Sequence, residues 1–329
     1  MNDIETSVLK SLSSDLSTSV TFRKISSMPQ MPRSTEEEKL LPEFNMEESE
    51  FIDENIVFSN GEEGFLRAIH DGFFLLKIPS NFSVSLGDKF TNNFFRAKNG
   101  DKDDAYRGYK DVKIQGFFQG YFDRENDQLE NFFIEMSHWK EFLPAEIEAL
   151  GHAMADLGIG VLKSILLKIG VAESHIDTVT SGLSKKNGHQ MLAFNHYRSE
   201  KKTRGTKFHR DSGWITVLRC TEPGLVAFID NKLYALNPKE GYFVINFGSA
   251  FELLTETMQL PVKANIHGVL QTIRKPGQKN RTSYVVFLDS NLKGQIFRYE
   301  NGTPNQLQSV EEFITQETVR AYVENESEL

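Results

Sequence analysis

Three short segments in the C-terminal half carry residue types that can do metal chemistry. His209-Arg210-Asp211 sets an imidazole and a carboxylate two positions apart. In a strand or at its end, residues i and i+2 point the same way, so both can reach one ion. His267 follows 58 positions after His209, at the end of another strand-like run. In Arg281-Thr282-Ser283, Arg281 and Ser283 again share one face. Two His and one carboxylate on one side of a metal leave the other side open. That arrangement suits non-haem iron(II), which must bind a cosubstrate and dioxygen together. A structural zinc site would be closed by four protein ligands, commonly including Cys, and this chain has a single cysteine, Cys220. An isolated His-x-Asp is weak evidence, and the triad alone permits several metals and several reactions.

The elements around these residues give them a setting. Met191–Tyr197, Ile215–Arg219, Leu225–Ile229, Tyr242–Asn246, Val262–His267 and Thr282–Leu288 read as short strands between Gly, Pro and Asn turns. Short strands at this spacing predict a barrel or a double-sheet jelly roll. Upstream, Glu62–Asp71 has helical spacing and stops at Gly72, and Phe73–Ile78 is an apolar run that reads as a buried strand. Residues 144–170 form the strongest helical pattern, with a wide apolar face; Gly158 and Gly160 predict a break or kink in its middle. Ser309–Glu324 reads as a helix packing back on the core. The regions are therefore a polar arm (1–40), a helical and strand region (41–180), the β-rich core (181–300) and a C-terminal helix (301–329).

Composition narrows the function classes. The 329 residues are 39% hydrophobic and 25% charged, which is ordinary for a globular chain. A net charge of −9 argues against a general nucleic-acid binder. One cysteine fits a reducing compartment, and Cys220 is expected buried and inert. No run approaches eighteen consecutive apolar residues, so no membrane span is expected. Residues 1–40 lack the apolar core of a signal peptide. The reading is a cytoplasmic monomer acting on a small molecule.

In order, Asn195-His196-Tyr197, His209-Arg210-Asp211, Asn246-Phe247-Gly248, His267 and Arg281-Thr282-Ser283 resemble the 2-oxoglutarate/Fe(II)-dependent dioxygenases of the isopenicillin N synthase-like family. The resemblance is specific over about 190–290 and looser over 55–170. Departures are His196 and Arg198 in the Asn-x-Tyr segment and a longer gap between His267 and Arg281, where 275–280 looks like a hairpin loop. The resemblance implies a mixed α/β fold with a double-stranded β-helix, or jelly roll, braced by helices. It implies Fe(II) held by His209, Asp211 and His267, with O2 and 2-oxoglutarate as cosubstrates. Arg281 and Ser283 would bind the distal carboxylate of 2-oxoglutarate, Tyr197 would add a hydrogen bond, and Asn195 would support the site. Halogenases of the wider group have a small residue where this chain has Asp211, so a halogenase is not expected.

The implied reaction is hydroxylation, desaturation or oxidative cyclisation of a small metabolite, amino-acid-derived and of specialised metabolism. Two alternatives stand beside it: an isopenicillin N synthase-type oxidase without 2-oxoglutarate, and a catalytically silent jelly-roll binding protein. Candidate substrate contacts are Arg107, Phe117, Phe118, Arg198 and Arg298. For the two Phe the competing reading is packing. For Arg198, with Lys201, Lys202 and Arg204, it is a solvated loop.

Overall fold

The protein's computed structural model describes residues 41–116 and 118–322, with side chains through Glu317. The arm 1–40 and Phe117 lie outside the described residues. In chain order the elements are β1 (Glu47–Ile52), β2 (Asn55–Phe58), α1 (Gly61–Asp71), β3 (Phe73–Lys77), α2 (Val84–Thr91), β4 (Gly120–Asp123), β5 (Leu129–Glu135), α3 (Met136–Phe142), α4 (Ala145–Lys168) and α5 (Glu173–Val179). Then come β6 (His189–Tyr197), β7 (Thr206–His209), β8 (Ile215–Cys220), β9 (Leu225–Ile229), β10 (Lys232–Ala235), β11 (Tyr242–Phe247), α6 (Ser249–Thr255), β12 (His267–Val269), β13 (Arg281–Asp289), β14 (Gln295–Glu300), β15 (Thr303–Ser309) and α7 (Val310–Tyr322).

The strands build a jelly roll. A nine-stranded sheet runs β2-β1-β3-β11-β8-β13-β6-β5-β4, and a four-stranded sheet runs β10-β9-β12-β7. Strands from the first 140 residues thus extend the larger sheet at both edges. The two sheets face each other across a cluster in which Phe73, Leu75, Leu129, Tyr197 and Val244 meet Leu225, Ala227, Ile229 and Val269. The opposite face of the large sheet buries Phe74, Leu76, Leu192, Phe194, Val217, Val286 and Leu288 against Leu162 and Ile165 of α4. This explains the unbroken apolar run at Phe73: β3 is covered on both faces, so no polar alternation is needed.

Two expectations fail for identifiable reasons. Helix α4 runs unbroken for 24 residues through Gly158 and Gly160. A Cβ on Gly158 would lie 2.5 Å from Leu288 Cδ1, and one on Gly160 would lie 2.7 Å from the Phe51 ring. These glycines let a helix approach a sheet closely, and the helix survives their low propensity because packing outweighs it. By length and composition α4 could cross a bilayer, but 67% of its apolar window is buried inside the protein, as in a core helix. Residues 262–266 form no strand, and β12 starts only at His267. The 270–280 connection is no hairpin either, because β12 pairs with β7 and β9 while β13 pairs with β6 and β8. It carries the chain from one sheet to the other.

The outer face of β5 and β6 is locked by one buried acid. Glu130, 1% exposed, lies 2.7 Å from His196 Nδ1 and accepts from Lys110 Nζ at 2.8 Å and from the Tyr121 hydroxyl. Phe95 stacks on His196 with ring centroids 3.7 Å apart. His196 therefore serves this structural network. Burial alone would raise the Glu130 carboxyl, but the hydrogen bonds from His196, Lys110 and Tyr121 outweigh it and hold it at about 2, below its ordinary 4.5. An acid lowered on folding contributes stability above its unfolded value and loses it as pH falls from about 4.5 towards 2. We expect Glu130→Gln to cost about 2–3 kcal/mol at neutral pH and to flatten this acid limb in urea melts. An unchanged acid limb would show that the network carries no such linkage.

Candidate active site

The triad sits where the two sheets meet. β7 ends at His209, and β12 begins at His267, its direct cross-strand partner. Asp211 lies in the turn after β7, not in the strand, so the turn aims the carboxylate back between the rings. Asp211 Oδ1 lies 3.6 Å from His209 Nε2 and 3.8 Å from His267 Nε2. One ligand atom from each residue falls within 4.8 Å of the others. Donors about 2.1 Å from one ion are about 3 Å apart at right angles, so shifts of under about 1 Å close this set onto a metal.

The outer contacts leave the correct atoms free. Lys207 O lies 2.9 Å from His209 Nδ1, and Asn265 O lies 3.2 Å from His267 Nδ1. A carbonyl there requires the proton on Nδ1, which presents the Nε2 lone pair to the centre. Asp211 Oδ2 accepts from Thr216 Oγ1 and from Asn246 Nδ2, both at 2.6 Å. Burial would raise Asp211, but the nearby His267 and the hydrogen bonds from His209 and Thr216 hold it well below the usual carboxylate range. Burial would also lower His209, yet Asp211 outweighs it and raises that ring; in His267 burial prevails and the shift is downward. The donor set of two imidazoles and one ionised carboxylate fits iron(II).

A cavity of about 550 Å³ opens beside the triad between the sheets. Arg281, 1% exposed, lies at one end of it. Its Nε donates to Pro223 O at 3.0 Å, and its guanidinium lies 4.7 Å over the Tyr197 ring. Its Nη1 is buried with no hydrogen-bond partner among the described residues. Leaving such a group unmet costs about 1–3 kcal/mol, more when charged, so the atom is set to receive an anion. Ser283 lines the same wall, and Asn195 Nδ2 donates to its hydroxyl at 3.3 Å. Thr206 and Asn131, whose Oγ1 and Oδ1 are also buried and without a partner among the described residues, line the cavity as well.

Residues 188–290 match the model of the 2OG-Fe(II) oxygenase superfamily. This segment is a 2OG-Fe(II) oxygenase domain. No curated protein sequence matches the chain. Among solved structures, the oxygenase resembles the rice dioxygenase for auxin oxidation at a TM-score of 0.63, with 16% identity over 87% of this chain and 99% of that one. It resembles JOX2, solved with 2OG, Fe and JA, at 0.61, with 17% identity over 94% and 92%. A full-length Neurospora crassa protein, solved with alpha-KG and 5-formyluracil, gives 0.58, with 20% identity over 78% and 89%. At such identities these likenesses speak to the fold. The family match makes the enzyme a dioxygenase with Fe(II) and 2-oxoglutarate as its cofactors. It stands at the superfamily level, with which the isopenicillin N synthase-like branch is compatible.

The oxygenase brings His209, Asp211, His267, Tyr197, Asn195, Arg281 and Ser283 to one cavity, and Phe118 joins its wall. Three arginines singled out as substrate contacts lie elsewhere. Arg107 pairs with Asp101 at 3.0 Å, Arg198 forms a fork onto Asp123 at 2.7 and 2.9 Å, and Arg298 pairs with Glu256 at 3.0 Å. Each has an acid nearby in the fold that takes the charge. Tyr106 and Tyr109 are buried and pack. Sequence reasoning missed Thr216, Asn131 and Thr206. Asn246 was visible as part of a motif but had no role.

Thr216 and Asn246 fix which oxygen of Asp211 meets the metal. We expect Asn246→Ala to weaken Fe(II) binding about 10–100-fold while the fold persists, read by metal titration of the apo-protein. Wild-type affinity in that variant would remove Asn246 from the site.

Proposed function

We propose that the oxygenase hydroxylates, desaturates or oxidatively cyclises a small, amino-acid-derived metabolite in the cytoplasm. For hydroxylation the balance is substrate C–H, O2 and 2-oxoglutarate to alcohol, succinate and CO2. Bound iron supplies dioxygen activation coupled to decarboxylation of 2-oxoglutarate. The observation that carries the cosubstrate is Arg281 Nη1, buried and unmatched at one end of the triad's cavity.

The chain's residues then have separable tasks. Arg281 and Ser283 bind the distal carboxylate, since a guanidinium fork matches a carboxylate and a hydroxyl adds a donor. The Tyr197 ring holds the guanidinium in place, and Asn195 orients Ser283. Leu218, Val285 and Phe287 make that wall apolar and exclude water from the reacting centre. Buried Cys220, whose thiol burial pushes up, fits a reducing compartment and takes no part. The size of the cavity matches a small metabolite.

Anaerobic addition of Fe(II) and 2-oxoglutarate should produce a weak visible charge-transfer band, and a substrate screen should find stimulated succinate release. A protein with neither would be no 2-oxoglutarate oxygenase. His209→Ala should abolish turnover. Arg281→Ala should raise the 2-oxoglutarate concentration for half-maximal rate about 10–100-fold, as expected for a lost charged hydrogen bond. If that concentration does not move, the cosubstrate carboxylate binds elsewhere.

A further inference from the structure

The cavity-facing side of β13 has opposite charges at its two ends. Arg281, Ser283, Val285, Phe287 and Asp289 alternate along that face, with Arg281 first and Asp289 last. The metal level is marked by Phe287, whose cross-strand partner is Thr216, the residue that holds Asp211. Asp289 lies one strand repeat, about 7 Å, beyond Phe287 and away from Arg281. It therefore belongs to the part of the cavity left for substrate once 2-oxoglutarate occupies the Arg281 end.

Asp289 is 7% exposed, and among the described residues the one hydrogen bond to its side chain is from Ser212 Oγ at 3.3 Å. Among the described residues no Lys, Arg or His lies within ion-pair distance of it. Nearby basic groups are turned to other acids: Arg210 to Glu252 at 3.5 Å, and His189, directly across the strand pair and held towards its neutral form by burial, to Glu135 at 3.7 Å. A buried carboxylate without a counter-charge is costly, and here it borders a cavity. Burial first, and the charge of Asp211 second, push its carboxyl up to about 7, which a bound cation would reverse. Phe133 and Phe287 stack beside it with centroids 6.3 Å apart, and Met191 completes an apolar floor.

We propose that Asp289 is the specificity-determining anchor for a cationic amine on the substrate, whose apolar body lies on Phe133, Phe287 and Met191. This rests on the oxygenase reading for the direction in which the substrate enters, and it adds the class: an alkylammonium compound with a hydrophobic body. The ammonium binds Asp289 by a charge-assisted hydrogen bond, and the aromatic faces add cation–π attraction. The anchored end is held away from the Arg281 end, so the carbon chain would lie across His209, Asp211 and His267.

The test measures binding, not turnover. Calorimetry at pH 8 would compare 3-phenylpropan-1-amine with 3-phenylpropan-1-ol, on protein loaded with Mn(II) and 2-oxoglutarate. The amine should bind wild type at least about tenfold tighter than the alcohol, as for one charged hydrogen bond. Asp289→Asn should shrink that preference to within about twofold, while Glu135→Gln retains it. Equal affinity of wild type for amine and alcohol would overturn the proposal, as would a preference that survives Asp289→Asn or follows Glu135. If Asp289→Asn does not fold, Asp289→Ser and the wild-type comparison carry the test. The anaerobic Fe(II) and 2-oxoglutarate band, recorded on the same preparation, reports separately on the oxygenase reading.

Discussion

The site depends on how Asp211 divides its two oxygens. Oδ2 is committed to Thr216 and Asn246, which stand on the adjacent central strands β8 and β11 of the large sheet. Oδ1 faces the two imidazoles, which stand on β7 and β12 of the small sheet. One carboxylate thus ties the two layers of the jelly roll together at the point where chemistry is done. A buried anion in such a place is expensive unless it is met on every side. The hydroxyl and amide meet half of it, and the imidazoles, with a metal when bound, would meet the rest. Positioning and affinity for the cation therefore come from the same hydrogen bonds.

Strand alternation does the remaining sorting. On β13, Tyr284, Val286 and Leu288 enter the core against the helices, while the intervening residues line the cavity. A one-residue slip would send Arg281 into that core and the apolar set into the cavity. Register is fixed by nine paired positions with β6 and six with β8, and by the tight seat of α4 against Leu288 and Val217. The long apolar helix that bears no catalytic residue is in this sense what keeps Arg281 facing its ligand.

The sequence made the short-range chemistry legible and left the long-range pairing hidden. His209, Asp211, His267 and Arg281-x-Ser283 could be read because a two-residue spacing and a strand context constrain direction. His209 and Asp211 converge even though Asp211 lies beyond the strand, because the connection after β7 and a strand end both turn the pair towards one point. The apolar run at Phe73 and the helix after Pro144 were also readable from periodicity. Gly158 and Gly160 misled, since a sequence shows the propensity cost of glycine but not the neighbouring sheet that requires it. Arg107, Arg198 and Arg298 misled for a related reason. A cation's role depends on which acid the fold brings to it, and Asp123 is 75 positions from Arg198.

The same logic explains why Asp289 did not stand out. In sequence it is one acid among 46 Asp and Glu residues, at the end of a strand and beside a polar turn. What sets it apart is the absence, within the described fold, of any cation turned towards it, together with its place on the same face as Arg281. Arg281 and Asp289 share an incompleteness: each is buried and each borders the cavity. Each also lacks a full counter-charge among the described residues. Folded proteins ordinarily pair such groups internally. Two opposite charges left at opposite ends of one strand face, with the metal ligands between them, make an axis along which two ligands can be told apart. The anionic cosubstrate is drawn to one end and a cation to the other, so each ligand is kept from the other's place by charge as well as by shape.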